Sequence, residues 1–129
     1  MARYVALICL LALLAGCGGD DKKDAEQTVR DFVTALREGD ADTFCDDLVT
    51  KDFLGQFSGA TGDKAKESCK RELKSVTGLQ DVRLAKVEST KVDGDEATVT
   101  AVIERQGQKQ RQVYRLKKED GDWKLSGAG

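Results

Sequence analysis

The sequence predicts an α+β fold, three N-terminal helices packed on one face of a curved four-stranded antiparallel sheet. Two observations lead there. Between Asp24 and Val76 the apolar residues recur every three or four positions, whereas after Gly78 they recur every second one. Within that second half, Asp93-Gly94-Asp95, Gln106-Gly107-Gln108 and Glu119-Asp120-Gly121-Asp122 supply three turn signals, enough to divide it into four sequential strands.

The first helix carries Ala25, Val29, Phe32, Val33 and Leu36 on one stripe. Asp24 is its expected N-cap with Gln27 three residues on, Glu26 suits the positive end of the helix dipole, and Gly39 ends it. A second, shorter helix restarts at Asp40-Ala41-Asp42, where either aspartate can serve as the cap; Ala41, Phe44, Cys45 and Leu48 share its face. Phe53, Leu54 and Phe57 lie in a short helical turn or loop ending at Ser58-Gly59-Ala60-Thr61-Gly62. The third helix is expected from about Asp63, with Ala65, Cys69, Leu73 and Val76 inward and Gly78 as its stop.

In the first strand Val82 and Leu84 alternate, then the parity slips before Val87 and Val92, which signals a bulge. Ala97, Val99, Ala101 and Ile103 form a clean inward row in the second, against Thr98, Thr100 and Glu104. A third strand runs from about Lys109 to Lys117, and a last one holds Trp123 and Leu125.

The N-terminus is a different kind of sequence. Arg3 precedes the uncharged apolar run Tyr4 to Leu14, which is too short for the roughly 17 to 25 residues of a spanning helix and fits a signal-peptide core. Leu14-Ala15-Gly16-Cys17 then resembles the lipobox of bacterial lipoproteins, whose cysteine is lipidated before cleavage on its N-terminal side. An ordinary secretory signal cut at the same small residues is the other reading. The resemblance implies a signal peptide over 1–16, a lipidated Cys17 with a short tether over 17–23, and a domain over 24–129. It also implies membrane anchoring on the extracytoplasmic face, where two or more acyl chains hold a protein stably. Read as flexible and extended, GGDDKK lets the domain begin no more than about 25 Å from the head groups.

Composition excludes more than it identifies. Removing residues 1–16 leaves 113 of 129 residues, one domain in size, and removing Arg3 leaves 20 of the 21 Lys and Arg against 23 Asp and Glu. With both signs interspersed and a pI near 5.2, nucleic acid is not an expected partner. There is no histidine, so neither a histidine-ligated zinc site nor a histidine general base is available, and no cofactor is implied. Of four cysteines, Cys9 lies in the signal segment and Cys17 is the lipid site. Cys45 and Cys69, on core-facing helical stripes of an exported chain, are expected to form a disulfide.

The stretch Ala25 to Val33, the Gly39-Asp40 break, Asp93-Gly94-Asp95-Glu96-Ala97-Thr98-Val99 and Gly121-Asp122-Trp123-Lys124-Leu125 resemble small nuclear transport factor 2-like bacterial lipoproteins. That resemblance covers nearly all of residues 24–126. It implies a cone whose helices and bent sheet enclose a pocket, used by some members for catalysis and by others for contacts. Phe32, Leu36, Val99, Ile103, Tyr114 and Trp123 are expected near such a pocket, and plain core packing is their other role. Catalytic members commonly use a histidine there, which this chain lacks. An unidentified protein or small apolar ligand is therefore the expected partner, with a carboxylate-based pocket enzyme as the alternative. Glu96 and Glu104 fall on the outward parity of their strand, and Asp31 lies off the first helix's stripe.

The acidic knot Asp40, Asp42, Asp46 and Asp47 fails as an EF-hand loop, because Phe44 and Cys45 stand where its fifth and sixth positions need an oxygen ligand and glycine. Helix caps and a solvated face account for it. The basic run through Lys109, Arg111, Arg115, Lys117 and Lys118 is read as edge protection, with anionic head groups as the other reading.

Overall fold

The computed structural model describes residues 17–76 and 78–129. Four helices precede a four-stranded meander: α1 Cys17–Glu38, α2 Ala41–Asp47, α3 Lys51–Ser58, α4 Gly62–Ser75, β1 Arg83–Asp93, β2 Glu96–Arg105, β3 Gln108–Glu119 and β4 Asp122–Ala128. The strands are antiparallel in the order β1-β2-β3-β4, with the helices on one face. The expected class is thus observed, with one helix more than the periodicity suggests. The segment around Phe53 and Leu54, expected as a short helical turn or loop, is a full helix, α3, started by the Thr50 hydroxyl, which accepts from the Phe53 N–H at 3.1 Å.

A second difference lies at the start of α1. Helix begins at Cys17 and not at Asp24, so the stretch read as an extended tether is helical. The cause is tertiary: Asp21 pairs with Lys118 of β3 at 3.0 Å, and the Lys118 ammonium lies 5.3 Å from the centre of the Trp123 ring. The expected signal residues 1–16 lie outside the described residues. Among those described, no helix is long and apolar enough to cross a membrane.

The core forms where α1 lies on the sheet. Ala25 and Val29 of α1 are fully buried against the inward row Ala97, Val99 and Ala101 of β2, with Tyr114 and Leu116 of β3 and Trp123 and Leu125 of β4 completing the layer. Thr28 fixes this docking, its hydroxyl donating to the Trp123 carbonyl at 3.1 Å in a buried site. At Gly39, φ +69 permits the left-handed residue that closes α1, and Asp40 rather than Asp42 caps α2 by accepting from the Thr43 N–H.

α2 and α4 are held together twice. Cys45 and Cys69, each 1% exposed, are disulfide-bonded with S–S 2.10 Å and Cα–Cα 6.0 Å. Lys70 reaches across to Asp46 at 3.0 Å and Asp42 at 3.3 Å. Residues 48–50 then run beside β4: the Thr50 N–H donates to the Leu125 carbonyl at 2.9 Å and the Leu125 N–H to the Leu48 carbonyl at 2.8 Å. This short parallel bridge covers an edge of the sheet.

The sheet bends where β1 slips register against β2, between Leu84 and Lys86 and again between Val87 and Ser89, near the parity slip visible in the sequence. β4 pairs with β3 only from Tyr114 to Glu119, so residues 108–112 form an edge on that side among the described residues. Lys109 and Arg111 lie on that edge, where charge discourages further pairing. The β1–β2 and β3–β4 turns share one pole with the start of α1, joined by Asp21–Lys118 and by the Lys118 N–H donating to the Asp95 carbonyl. At the opposite pole is the β2–β3 turn, where Gln106 (φ 53) and Gly107 (φ 76) take the two left-handed positions of a tight hairpin.

Candidate functional site

At the pole of the β2–β3 turn the helical layer and the sheet part company. The inward row of β3 is Gln108, Gln110, Gln112, Tyr114 and Leu116, exposed at its first residues and buried at its last. Its amides therefore mark where the sheet leaves the core. They line a cleft of about 620 Å³ closed on the other sides by Leu36 near the end of α1, Leu79 and Val82 of the segment after α4, and Ile103 of β2. Gln110 pairs directly with Ile103, so amide and apolar side chains share the wall.

Arg105 and Lys109 stand at the mouth. Neither forms an ion pair with a carboxylate of the described residues, unlike Lys70, Arg111, Lys117, Lys118 and Lys124. The Arg105 guanidinium lies over the Gly78 backbone, 3.6 Å from where a side chain would begin. No carboxylate lines this cleft.

Tyr114 connects the cleft to the core. Its ring stands edge-on to Phe32, centroids 5.7 Å apart, and Phe32 packs on Phe44 at 5.0 Å. The residue is 6% exposed, and its hydroxyl makes no hydrogen bond within the described residues. Burial pushes the phenol up to about 12, because the phenolate would lose its solvation.

A second hollow of about 420 Å³ adjoins the first across Leu36 and Leu79, which line both. Phe44, Cys69, Leu73 and Val76 make it apolar, with Ser75 and Glu72 at its rim. Val76 is 50% exposed there, the one large apolar residue so exposed among the described residues. Phe44 and Cys69 also line a small apolar cavity of about 160 Å³ with Phe32, Val49, Phe53 and Leu54.

Of the six residues expected near a pocket, Leu36, Ile103 and Tyr114 line the cleft. Phe32 lines only the small inner cavity, and Val99, with no exposure, is core. Trp123 is core as well, 5% exposed at the other pole beside Asp21, so its fluorescence is not a local probe of this cleft. Lys118, rather than the indole, chiefly holds the Asp21 carboxyl below its ordinary value; the Trp123 N–H leans toward it without hydrogen-bond geometry. Arg105, Lys109, Gln110, Gln112 and Leu79 are cleft residues that apolar periodicity does not single out, while Val82, read from the alternation before β1, lines the cleft as well. The same-parity glutamines of β3 are the signal that could have found them.

The acidic knot has structural duties: Asp40 caps α2, while Asp42 and Asp46 hold Lys70. No grouping of three or more potential metal ligands occurs among the described residues. The shallow groove between α1 and β1 is crossed by Thr90 donating to Glu26 at 2.7 Å and bordered by the Arg111–Glu88 pair at 2.8 Å.

Solved structures share this architecture at low identity. A Campylobacter jejuni protein provisionally named an NTF2-like transpeptidase is 17% identical with a TM-score of 0.54, the match covering 79% of this chain and 96% of that one. A SEC-C-motif-containing protein from Rhodopseudomonas palustris is 17% identical with a TM-score of 0.51, covering 79% and 74% respectively. An NTF2 variant with several point substitutions is 16% identical with a TM-score of 0.50, covering 83% and 98%. At such identities the likeness establishes an NTF2-like fold. No curated protein sequence matches the chain. A family model described as a domain of unknown function, DUF4878, matches residues 15–126, and the chain belongs to that family.

Proposed function

We propose that this chain is a membrane-anchored extracytoplasmic lipoprotein whose NTF2-like domain binds a ligand in the cleft without transforming it. The observation that carries the binding reading is the chemistry of the lining. It holds no carboxylate, thiol or imidazole, the usual general bases, and burial pushes its one phenol up to about 12. What the walls do supply is a set of hydrogen-bond donors beside apolar surface, the usual composition of a recognition site.

The anchoring reading rests on the sequence around Cys17, and the helical start of α1 adds a geometric consequence. From Cys17 to Asp24 a helix advances about 10 Å, so an acylated Cys17 would hold the domain closer to the bilayer than an extended tether. The near pole carries Asp93, Asp95, Glu96, Asp120 and Asp122, so head-group charge opposes this orientation, which rests instead on the anchor's place at the start of α1, at the pole opposite the cleft mouth.

Mass analysis of the protein extracted from membranes tests the anchor. A mature chain starting at an acylated Cys17, and loss of acylation with retention of precursor in Cys17→Ala, are expected. An unmodified mature chain beginning at another residue contradicts it.

A further inference from the structure

We propose that the cleft's ligand is a single-chain amphipathic anion, its carboxylate at the mouth beside Arg105 and Lys109 and its apolar tail in the adjoining groove. This rests on the cleft being a binding site and specifies what enters it.

Charge supports the head-group assignment. Across the whole chain acids slightly outnumber bases, and five other basic side chains have a carboxylate within 4.0 Å. Arg105 and Lys109 are not among those five, and what distinguishes them from the other bases unpaired among the described residues is their placement, two cations facing one opening with no acid in its wall, whereas Lys22, Arg30 and Lys86 share their groove with Glu26 and Glu88. Glutamine amides and the Tyr114 hydroxyl, which has no hydrogen-bond partner among the described residues and belongs to a residue lining the cleft, add neutral donors. Two cations with neutral amides and no anionic acceptor suit an oxyanion, and a planar guanidinium suits a carboxylate in particular.

Continuity supports the tail. Leu36 and Leu79 form the shared wall between the polar cleft and the apolar groove, so a molecule entering past Arg105 meets Phe44, Leu73 and Val76 next. Val76 is half exposed in that groove, although a valine gains from being covered. Hollows of about 620 and 420 Å³ have the scale of drug-sized ligands and are small for a diacyl phospholipid. The carboxylate of Glu72, which lines the groove and not the cleft, disfavours a second anionic end there.

The test uses the whole chain in nonionic micelles and three photoreactive probes: a long-chain carboxylate with a diazirine in its tail, the alcohol of equal length, and a diacyl phosphatidylglycerol. After irradiation the carboxylate should label the peptide spanning 72–82. Arg105→Gln with Lys109→Gln should lower that labelling roughly tenfold and leave the alcohol's weaker labelling unchanged. Val76→Asp should suppress labelling by both. These are surface positions, and unchanged circular dichroism will show that the variants fold. Equal labelling of 72–82 by alcohol and carboxylate, indifferent to Arg105 and Lys109, overturns the anionic ligand while leaving a binding cleft. Preference for the diacyl probe overturns the single chain, and label absent from 72–82 with every probe overturns both the ligand and the cleft as the binding site.

Discussion

Tyr114 sits at the boundary between core and cleft, and its ionisation reports that position directly. Burial raises the phenol from about 10 to about 12, so the neutral ring contributes its full stability below about pH 10 and loses it as the pH climbs toward 12. The loss is on the order of 2 kcal/mol or less, since the cleft side of the ring is partly solvated. Ultraviolet titration, with Tyr114→Phe subtracted to remove Tyr4, should show tyrosinate forming near pH 12, and alkaline unfolding of the variant should be shallower between 10 and 12. A Tyr114 transition near pH 10 would show a solvated phenol. The resemblance to the cone fold marks Tyr114 as a pocket residue, with core packing as its other role. It does not separate it from Trp123, of the same strand-borne aromatic type, because the distinction depends on which end of the sheet the helices leave uncovered.

The elements were legible wherever a local signal and a tertiary contact agree. Gly39 and Asp40 end one helix and start the next, and two buried cysteines on adjacent helical faces meet. Joining residues 24 apart, that disulfide should contribute about 3 to 4 kcal/mol. Cys45→Ala with Cys69→Ala should lower the melting midpoint by about ten degrees or more in calorimetry; a change within two or three degrees, roughly half a kcal/mol, would show that Lys70 with Asp42 and Asp46 carries the α2–α4 contact.

Other boundaries were not legible, for physical reasons. Gly18 and Gly19 each cost about 1 kcal/mol in a helix relative to alanine, so local propensity argues for a tether. The Asp21–Lys118 pair across to β3 offsets part of that cost beside the burial of Ala25 and Val29 on the sheet, and neither contact can be seen in one strand's sequence. Asp21→Asn should therefore quicken amide exchange over 18–24 severalfold in mass-spectrometric exchange while leaving β2 unchanged. Equal exchange in both proteins would mean that the first turns of α1 stand without this pair. α3 was hidden similarly, since its eight residues include Gly55 and its start depends on Thr50, itself fixed by Leu125 of β4.

At the scale of the whole molecule the fold is polar along its strands. One pole gathers the start of α1, two acidic turns and Trp123; the other holds the cleft, Arg105, Lys109 and the glutamine row. The class and meander follow from periodicity and turn chemistry. The cleft does not, because it is made where periodicity stops predicting burial: Gln108, Gln110 and Gln112 occupy core-parity positions with no helix above them. In the proposed lipoprotein this polarity becomes an orientation, with the ligand mouth held away from the bilayer. From Gln108 to Glu119 β3 spans about 36 Å, far enough for the two poles to be told apart by depth. The most direct measurement is quenching by nitroxide lipids of a fluorophore attached at Asp122→Cys or at Gln108→Cys in the membrane-bound protein. The account predicts strong quenching at 122 and almost none at 108; equal quenching at both, or stronger quenching at 108, would contradict it.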